Sequence, residues 1–166
     1  MGMTRIGLLS DTHGVLDSAV FTHFAECDEI WHAGDFGSAE VADQLQHFKP
    51  LRGVYGNIDG AEIRSRFPET AIFFCEKVKV VLHHIGGAPP RYNPDARGLL
   101  LAEQPGLLVS GHSHILKIMY DEKMNCLYMN PGAAGHQGWH KKRTLIRFSI
   151  EGTTPKDCEV IELGNR

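Results

Sequence analysis

Five times in this chain a short apolar run gives way to a glycine-marked turn carrying Asp, His or Asn. Ile6–Leu9 runs into Ser-Asp-Thr-His-Gly with Asp11 and His13, Glu29–His32 into Gly34-Asp35, and Leu51–Tyr55 into Gly56-Asn57. Val78–His83 is followed by His84, and Leu107–Ser110 by Gly-His-Ser-His with His112 and His114. Runs of this length and composition read as buried strands that deliver polar side chains to one end. An open α/β sheet places its ligand at the carboxyl ends of its strands, so the pattern restricts both the fold and the position of the site. Seven nitrogen and oxygen donors exceed what one cation needs. They suit two cations sharing a carboxylate, an arrangement that mostly handles phosphate esters.

The segments between these runs supply the other layers. Val20, Phe21, Phe24 and Ala25 recur at one-turn spacing, with Asp17 and Ser18 as capping residues. Val41, Leu45 and Phe48 draw one apolar stripe on a helix from Ser38 to Phe48, which Lys49-Pro50 ends. A further helix is expected over about 95–103. Ala71–Cys75 and Val78–His83 read as a hairpin turning at Glu76-Lys77. After His114 the pattern is strand upon strand: Ile115–Tyr120, Cys126–Met129, Arg143–Ile150 and Cys158–Leu163. Two sheets packed face to face, with helices on the outer faces, join these parts most simply.

The 166 residues fit one domain, expected to span 1–166, and no linker, repeat or low-complexity segment divides them. A formal charge of −3 argues against broad electrostatic capture of nucleic acid. Cys27, Cys75, Cys126 and Cys158 form no Cys-x-x-Cys pair and are expected to be reduced and partly buried. No apolar run approaches the ~20 residues that span a bilayer, and the first ten residues lack the features of a signal peptide. A cytoplasmic protein with no membrane partner is the default expectation, and a homo-oligomer stays open.

On an extended backbone Asp11 and His13, two residues apart, share a face and point at one ion. His112 and His114 follow the same logic, although Gly111 loosens the chain and lets the two imidazoles diverge. Asp35 is the natural bridge, since a carboxylate can hold two cations and offset their repulsion. Asn57 offers a carbonyl oxygen for an ion and an amide for a bound phosphate.

Asp11-Thr-His13, Gly34-Asp35, Gly56-Asn57, His84 and Gly111-His112-Ser113-His114, in this order, resemble the pattern of the calcineurin-like metallophosphoesterase superfamily, in particular its small, capless phosphodiesterase branch. The resemblance covers about residues 5–150. It implies an α/β fold: a four-layer αββα sandwich of two mixed β-sheets flanked by helices. It implies two divalent ions, manganese in first place with Fe, Ni, Co or Zn as alternatives. Asp11, His13, Asp35 and His114 would hold the first, and Asp35, Asn57, His84 and His112 the second. His84 is preferred over His83 because the family histidine closes its strand before a glycine turn. The implied activity is phosphodiester hydrolysis of a small substrate by a metal-bridging hydroxide, with Asn57 contacting the phosphate. The alternative is a non-catalytic interaction scaffold resembling the small retromer subunit.

One departure matters: many relatives carry a histidine directly after the motif asparagine, and this chain has Ile58, which cannot protonate a leaving group. Other residues stay open between two readings. Asp59 either fixes a ligand histidine or caps a turn. Arg91 either clamps phosphate or is solvated surface. His32 reads as a packing or supporting residue, and His23 and His47 as helix surface. His136 and His140 either reach the site mouth or belong to the loop alone. The Lys141-Lys142-Arg143 cluster reads as a solvated strand end.

Overall fold

β1 (Met3–Leu9), β2 (Glu29–His32) and β3 (Leu51–Gly53) are parallel neighbours, and β11 (Lys142–Glu151) and β12 (Thr154–Asn165) extend the same sheet antiparallel in the order β12-β11-β1-β2-β3. This computed structural model describes residues 2–166; Met1, first residue of the expected 1–166 domain and of the N-terminal segment read for a leader, lies outside them. The second sheet takes β4 (Thr70–Cys75), β5 (Val78–His83), β8 (Leu107–Val109), β9 (Lys117–Asp121) and β10 (Cys126–Asn130) in the order β4-β5-β8-β10-β9. Its three central strands are parallel and its two edges antiparallel. β4 and β5 pair with Cys75 opposite Val78, so the hairpin turns at Glu76-Lys77 as expected. A two-stranded ribbon, β6 (Gly87–Ala88) and β7 (Arg91–Tyr92), was not anticipated.

The inner faces of the sheets meet over Leu8, Trp31, Val80, Leu82, Val109 and Phe148, with Trp31 set edge-on against Phe73 and Phe148. On the outer face of the first sheet, α1 (Ala19–His23), α2 (Ala39–Phe48) and α3 (Ala61–Arg66) bury Val20, Val41, Leu45 and Ile63 against Leu9, Ile30 and Leu145. α4 (Pro94–Glu103) covers the other sheet, packing Leu100 near Val81, Leu108 and Tyr128. The layers are therefore α, β, β, α. Ser38 caps α2 through its side chain. At α1 the expected pair divides: Asp17 Oδ1 accepts from Ala19 N at 2.9 Å, whereas Ser18 makes no side-chain cap.

Because β1, β2, β3, β5 and β8 are parallel within their sheets, their carboxyl ends form one rim, and the turns carrying Asp11, Asp35, Asn57, His84, His112 and His114 all leave from it. Cys27, Cys75 and Cys126 are buried free thiols and Cys158 is an exposed one. Among the described residues no helix is long and apolar enough to cross a membrane.

Candidate metal centre

Asp11, His13, Asp35, His112 and His114 all adopt left-handed backbone, with φ of 55°, 49°, 59°, 68° and 62°. The expectation that Asp11 and His13 share a face by strand alternation is therefore corrected. β1 has already ended, and consecutive kinks, not a pleat, turn both side chains inward. These conformations cost non-glycine residues energy and persist where surrounding contacts over-determine them. Here Asp11 N donates to Gly34 O at 3.0 Å, His13 N to Asp35 O at 3.1 Å and Gly135 N to Asp11 O at 3.1 Å, so three loops are cross-tied. Gly56 is required by close approach: a Cβ there would collide with the Asp35 carboxylate.

The kinks gather the side chains into two groups, Asp11 with His13 and His114, and Asp35 with His84 and His112; within each, the donor atoms lie within 4.8 Å of one another. The two late histidines thus diverge. Asp11 Oδ1 stands 3.2 Å from His114 Nε2 and 3.8 Å from His13 Nε2. Asp35 Oδ2 lies between the groups, 3.4 Å from His13 Nε2 and 3.2 Å from His84 Nε2. Its other oxygen accepts from Ile58 N at 3.1 Å, so only one of the two carboxylate oxygens faces the histidines. Asn57 Oδ1 sits 3.1 Å from His84 Nε2 and 3.0 Å from His112 Nδ1. All seven residues singled out in the sequence meet here.

The donors fit a pair of divalent cations. Asp11 Oδ1 and His13 Nε2 are buried yet have no hydrogen-bond partner, although nitrogen and oxygen neighbours crowd both. Ligands bound about 2.1 Å from one cation stand roughly 3–4 Å apart, the spacing found here. Outside the cluster, His84 Nδ1 donates to Ala33 O at 2.7 Å, which orients the ring so that Nε2 faces inward. Asp11 Oδ2 accepts from Ser10 Oγ at 2.6 Å and His112 N at 3.1 Å, leaving Oδ1 for the centre.

The charges respond to this crowding. Burial opposes ionisation of Asp11, but His114, His13, His84 and Ser10 outweigh it and hold the carboxyl well below the usual range. Burial likewise pulls His84 down, and Asp35, Asp11 and the Ala33 carbonyl overcome it and raise the imidazole. Asp11 raises His13 against burial, whereas burial and His84 lower His112.

Residues left open in the sequence now have places. Asp59 contacts no histidine: its carboxylate accepts from Phe36 N at 3.2 Å, Gly37 N at 3.0 Å and Gly56 N at 2.8 Å, tying the Asp35 turn to the Asn57 turn. His83 pairs with Thr70 Oγ1 at 2.8 Å, away from the cluster. His140 donates to Gly135 O at 2.8 Å with its ring 5.1 Å from that of His114, and His136 lines a cavity shared with His13 and Val15. Arg91 and His47 are exposed and His23 is half-buried. Arg143 is not solvated as expected; it is buried and bonds Asp17 Oδ2 at 2.9 Å. Asn130 escaped notice, although it too closes an apolar run. Fully buried, it donates to Gly111 O at 3.0 Å and Ser113 Oγ at 3.1 Å and so steadies the His112–His114 turn.

His32 is core, stacked on Phe36 at 3.7 Å. Its Nδ1 accepts from Gly34 N at 3.1 Å and its Nε2 donates to Thr12 Oγ1 at 3.0 Å, so it is neutral. Burial pushes its pKa down to about 3 from 6.5. The unfolded chain therefore takes up this proton first, and stability falls as pH drops from 6.5 toward 3, by up to about 1.4 kcal/mol per unit. Urea titrations in EDTA at pH 7 and 4.5 should show the wild type losing about 2–3 kcal/mol more than His32→Gln. Parallel losses would remove His32 from the account.

Residues 4–153 match the calcineurin-like phosphoesterase superfamily domain. The chain belongs to the calcineurin-like phosphoesterase superfamily. A probable metallophosphoesterase of Methanothermobacter thermautotrophicus is 33% identical to this family member over 136 residues, 77% of this chain and 76% of the relative. Solved structures share its calcineurin-like fold, among them the following two. A predicted phosphoesterase of Streptococcus pneumoniae superposes with a TM-score of 0.69 at 19% identity, covering 98% of this chain and 99% of that one. Vps29 of Chaetomium thermophilum gives 0.73 at 15% identity, covering 96% and 97%. The superfamily is metal-dependent, and the two donor groups are its candidate metal sites in this member.

Proposed function

We propose that this member is a dinuclear metal-dependent phosphodiesterase acting on a small substrate, with Asp11, His13, Asp35, Asn57, His84, His112 and His114 as the ligands. The observation that carries the proposal is Asp35 Oδ2, set 3.4 Å and 3.2 Å from a histidine of each group. Manganese is the first candidate, and Fe, Ni, Co and Zn suit the same mixed nitrogen and oxygen donors. When bound, the two cations supply Lewis acidity and lower the pKa of water in the site. Asp35, placed between the two donor groups, would serve both cations. Asn57 turns its oxygen to His84 and His112 while its amide nitrogen donates to no protein acceptor among the described residues, leaving it for a phosphate oxygen. Ile58 is 47% exposed and only its backbone N–H is engaged, so nothing at this position protonates the departing oxygen. Diesters with acidic leaving groups are therefore the favoured substrates.

Protein stripped with EDTA should not turn over bis(p-nitrophenyl) phosphate, and added Mn should restore activity. A non-catalytic scaffold of the same fold stays inactive at every Mn concentration. Ile58→His should raise turnover of diesters with alkyl leaving groups by about tenfold or more, and that of p-nitrophenyl esters far less. Equal effects on both ester classes would remove the proton-donor argument.

A further inference from the structure

A cavity of about 400 Å³ opens beside Asn57 and His84, and the rest of its wall includes Tyr55, Arg64, Glu69, Asn93 and Asp95, none of them a donor of the metal centre. A second cavity of about 440 Å³ shares Glu69, Pro94 and Asp95 and continues to Gly98 and Leu99. Together they form one groove running from the metal centre along the first half of α4.

Several polar groups on this groove have hydrogen bonds to spare. Arg64 is fixed twice: its Nε donates to Asp59 O at 2.7 Å, and its guanidinium packs 4.4 Å over the Tyr55 ring. Its terminal amines donate to no protein acceptor among the described residues. The held guanidinium thus presents one flat face and two donors. Asn93 precedes α4 without capping it; its backbone N donates to Gly86 O at 3.0 Å, and its half-buried side-chain amide has no partner among the described residues. Asp95 makes no ion pair there either, and Glu69 has only a long contact of 3.5 Å from Tyr55 Oη. Unspent polar groups converging on one concavity beside a reaction centre are what a ligand subsite requires.

The lining defines the ligand: Arg64 and Asn93 belong only to the cavity that includes Asn57 and His84, whereas Glu69 and Asp95 line both cavities. In the first, a fixed guanidinium suits a flat ring on its face and a carbonyl or phosphate oxygen at its amines. The Asn93 amide both donates and accepts. Glu69 and Asp95 accept from hydroxyl or N–H groups and repel a second phosphate. We propose that the groove between Arg64, Asn93 and Asp95 holds the retained arm of a diester, and that it selects a flat, uncharged, hydrogen-bond-donating arm, nucleoside-like, over a plain alkyl group or an arm bearing another phosphate. This assignment presupposes the diester chemistry proposed above.

Three esters with one leaving group test it: methyl p-nitrophenyl phosphate, thymidine 5′-(p-nitrophenyl phosphate), and the latter with a 3′-phosphate. With Mn-loaded protein, kcat/KM for the thymidine ester should exceed that for the methyl ester about tenfold or more, mainly through KM, and the 3′-phosphate should remove most of the advantage. Arg64→Ala should cut the thymidine-to-methyl ratio about fivefold or more, and Arg64→Lys, which keeps the charge but loses the flat face, should restore little. Asp95→Asn should favour the 3′-phosphorylated ester relative to the unphosphorylated one. An unchanged ratio in Arg64→Ala, or equal kcat/KM for the methyl and thymidine esters, would overturn the subsite. Thymidine alone, titrated onto isotope-labelled protein in EDTA, should shift the amide signals of Arg64, Asn93 and Asp95. Those shifts without turnover of any ester would overturn the diester reading and keep the groove as a ligand site. Turnover of the methyl ester with neither shifts nor preference would overturn the groove alone, and absence of both would overturn both.

Discussion

On the dinuclear phosphodiesterase reading proposed above, Asp35→Asn should reduce phosphodiester turnover on the order of 10³-fold or more and lower bound metal from two ions per chain to at most one. The expectation follows from the position of a single atom. Among the described residues Asp35 Oδ2 is the one carboxylate oxygen within 3.4 Å of a histidine nitrogen from each donor group; Asp11 Oδ1 comes as near to His114, at 3.2 Å, but stands 3.9 Å from His84. Asparagine preserves the size of the side chain and tolerates the left-handed backbone, so the variant isolates the loss of charge. Metal analysis of dialysed protein beside a bis(p-nitrophenyl) phosphate assay decides the matter. Two ions per chain and undiminished turnover in Asp35→Asn would show that the bridge lies elsewhere.

Asp59→Ala should be among the most damaging changes outside the donor set. It strips the acceptor from three backbone N–H groups, those of Phe36, Gly37 and Gly56, in a place where the side chain is only 4% exposed. A buried donor left unsatisfied costs about 1–3 kcal/mol, and water entering the gap recovers part, so a net loss of about 4 kcal/mol is expected. For a chain of this size that lowers Tm by roughly 8–16 °C. Asp59→Asn keeps an acceptor and should lose about half as much. Because the same carboxylate ties the Asp35 turn to the Asn57 turn, turnover should fall with stability, and Mn, which binds the folded chain, should recover part of both. Calorimetry with and without Mn is the measurement. An Asp59→Ala protein within about 1 kcal/mol of the wild type would mean that the three N–H groups find other partners.

Much of this arrangement could be read from the order of residues. The donors were recognisable because each breaks an apolar run, and the layers because α2 carries a stripe of Val41, Leu45 and Phe48 that only a helix explains. What escaped did so for physical reasons. α3 buries only Ile63 of its six residues, so it leaves no periodic stripe. β12 spans Thr154–Asn165, twice the expected length, because an edge strand exposed along most of its course lacks the alternation that marks a half-covered one. Asp59 was undecidable, since a carboxylate that fixes an imidazole and one that gathers backbone N–H groups look alike until the chain is folded. Asp and His, unlike glycine, do not announce positive φ, so the Asp11–His13 and His112–His114 turns look extended in the sequence.

That backbone has a consequence for any mutational survey of the rim. Alanine at Asp11, His13, Asp35, His112 or His114 would remove a donor and also place an ordinary Cβ residue where the chain must run left-handed, adding roughly 1 kcal/mol unrelated to metal. An alanine scan would then rank these positions partly by conformational tolerance. Glycine replacements beside the alanine ones would separate the two contributions, since glycine accepts the turn and, like alanine, carries no donor.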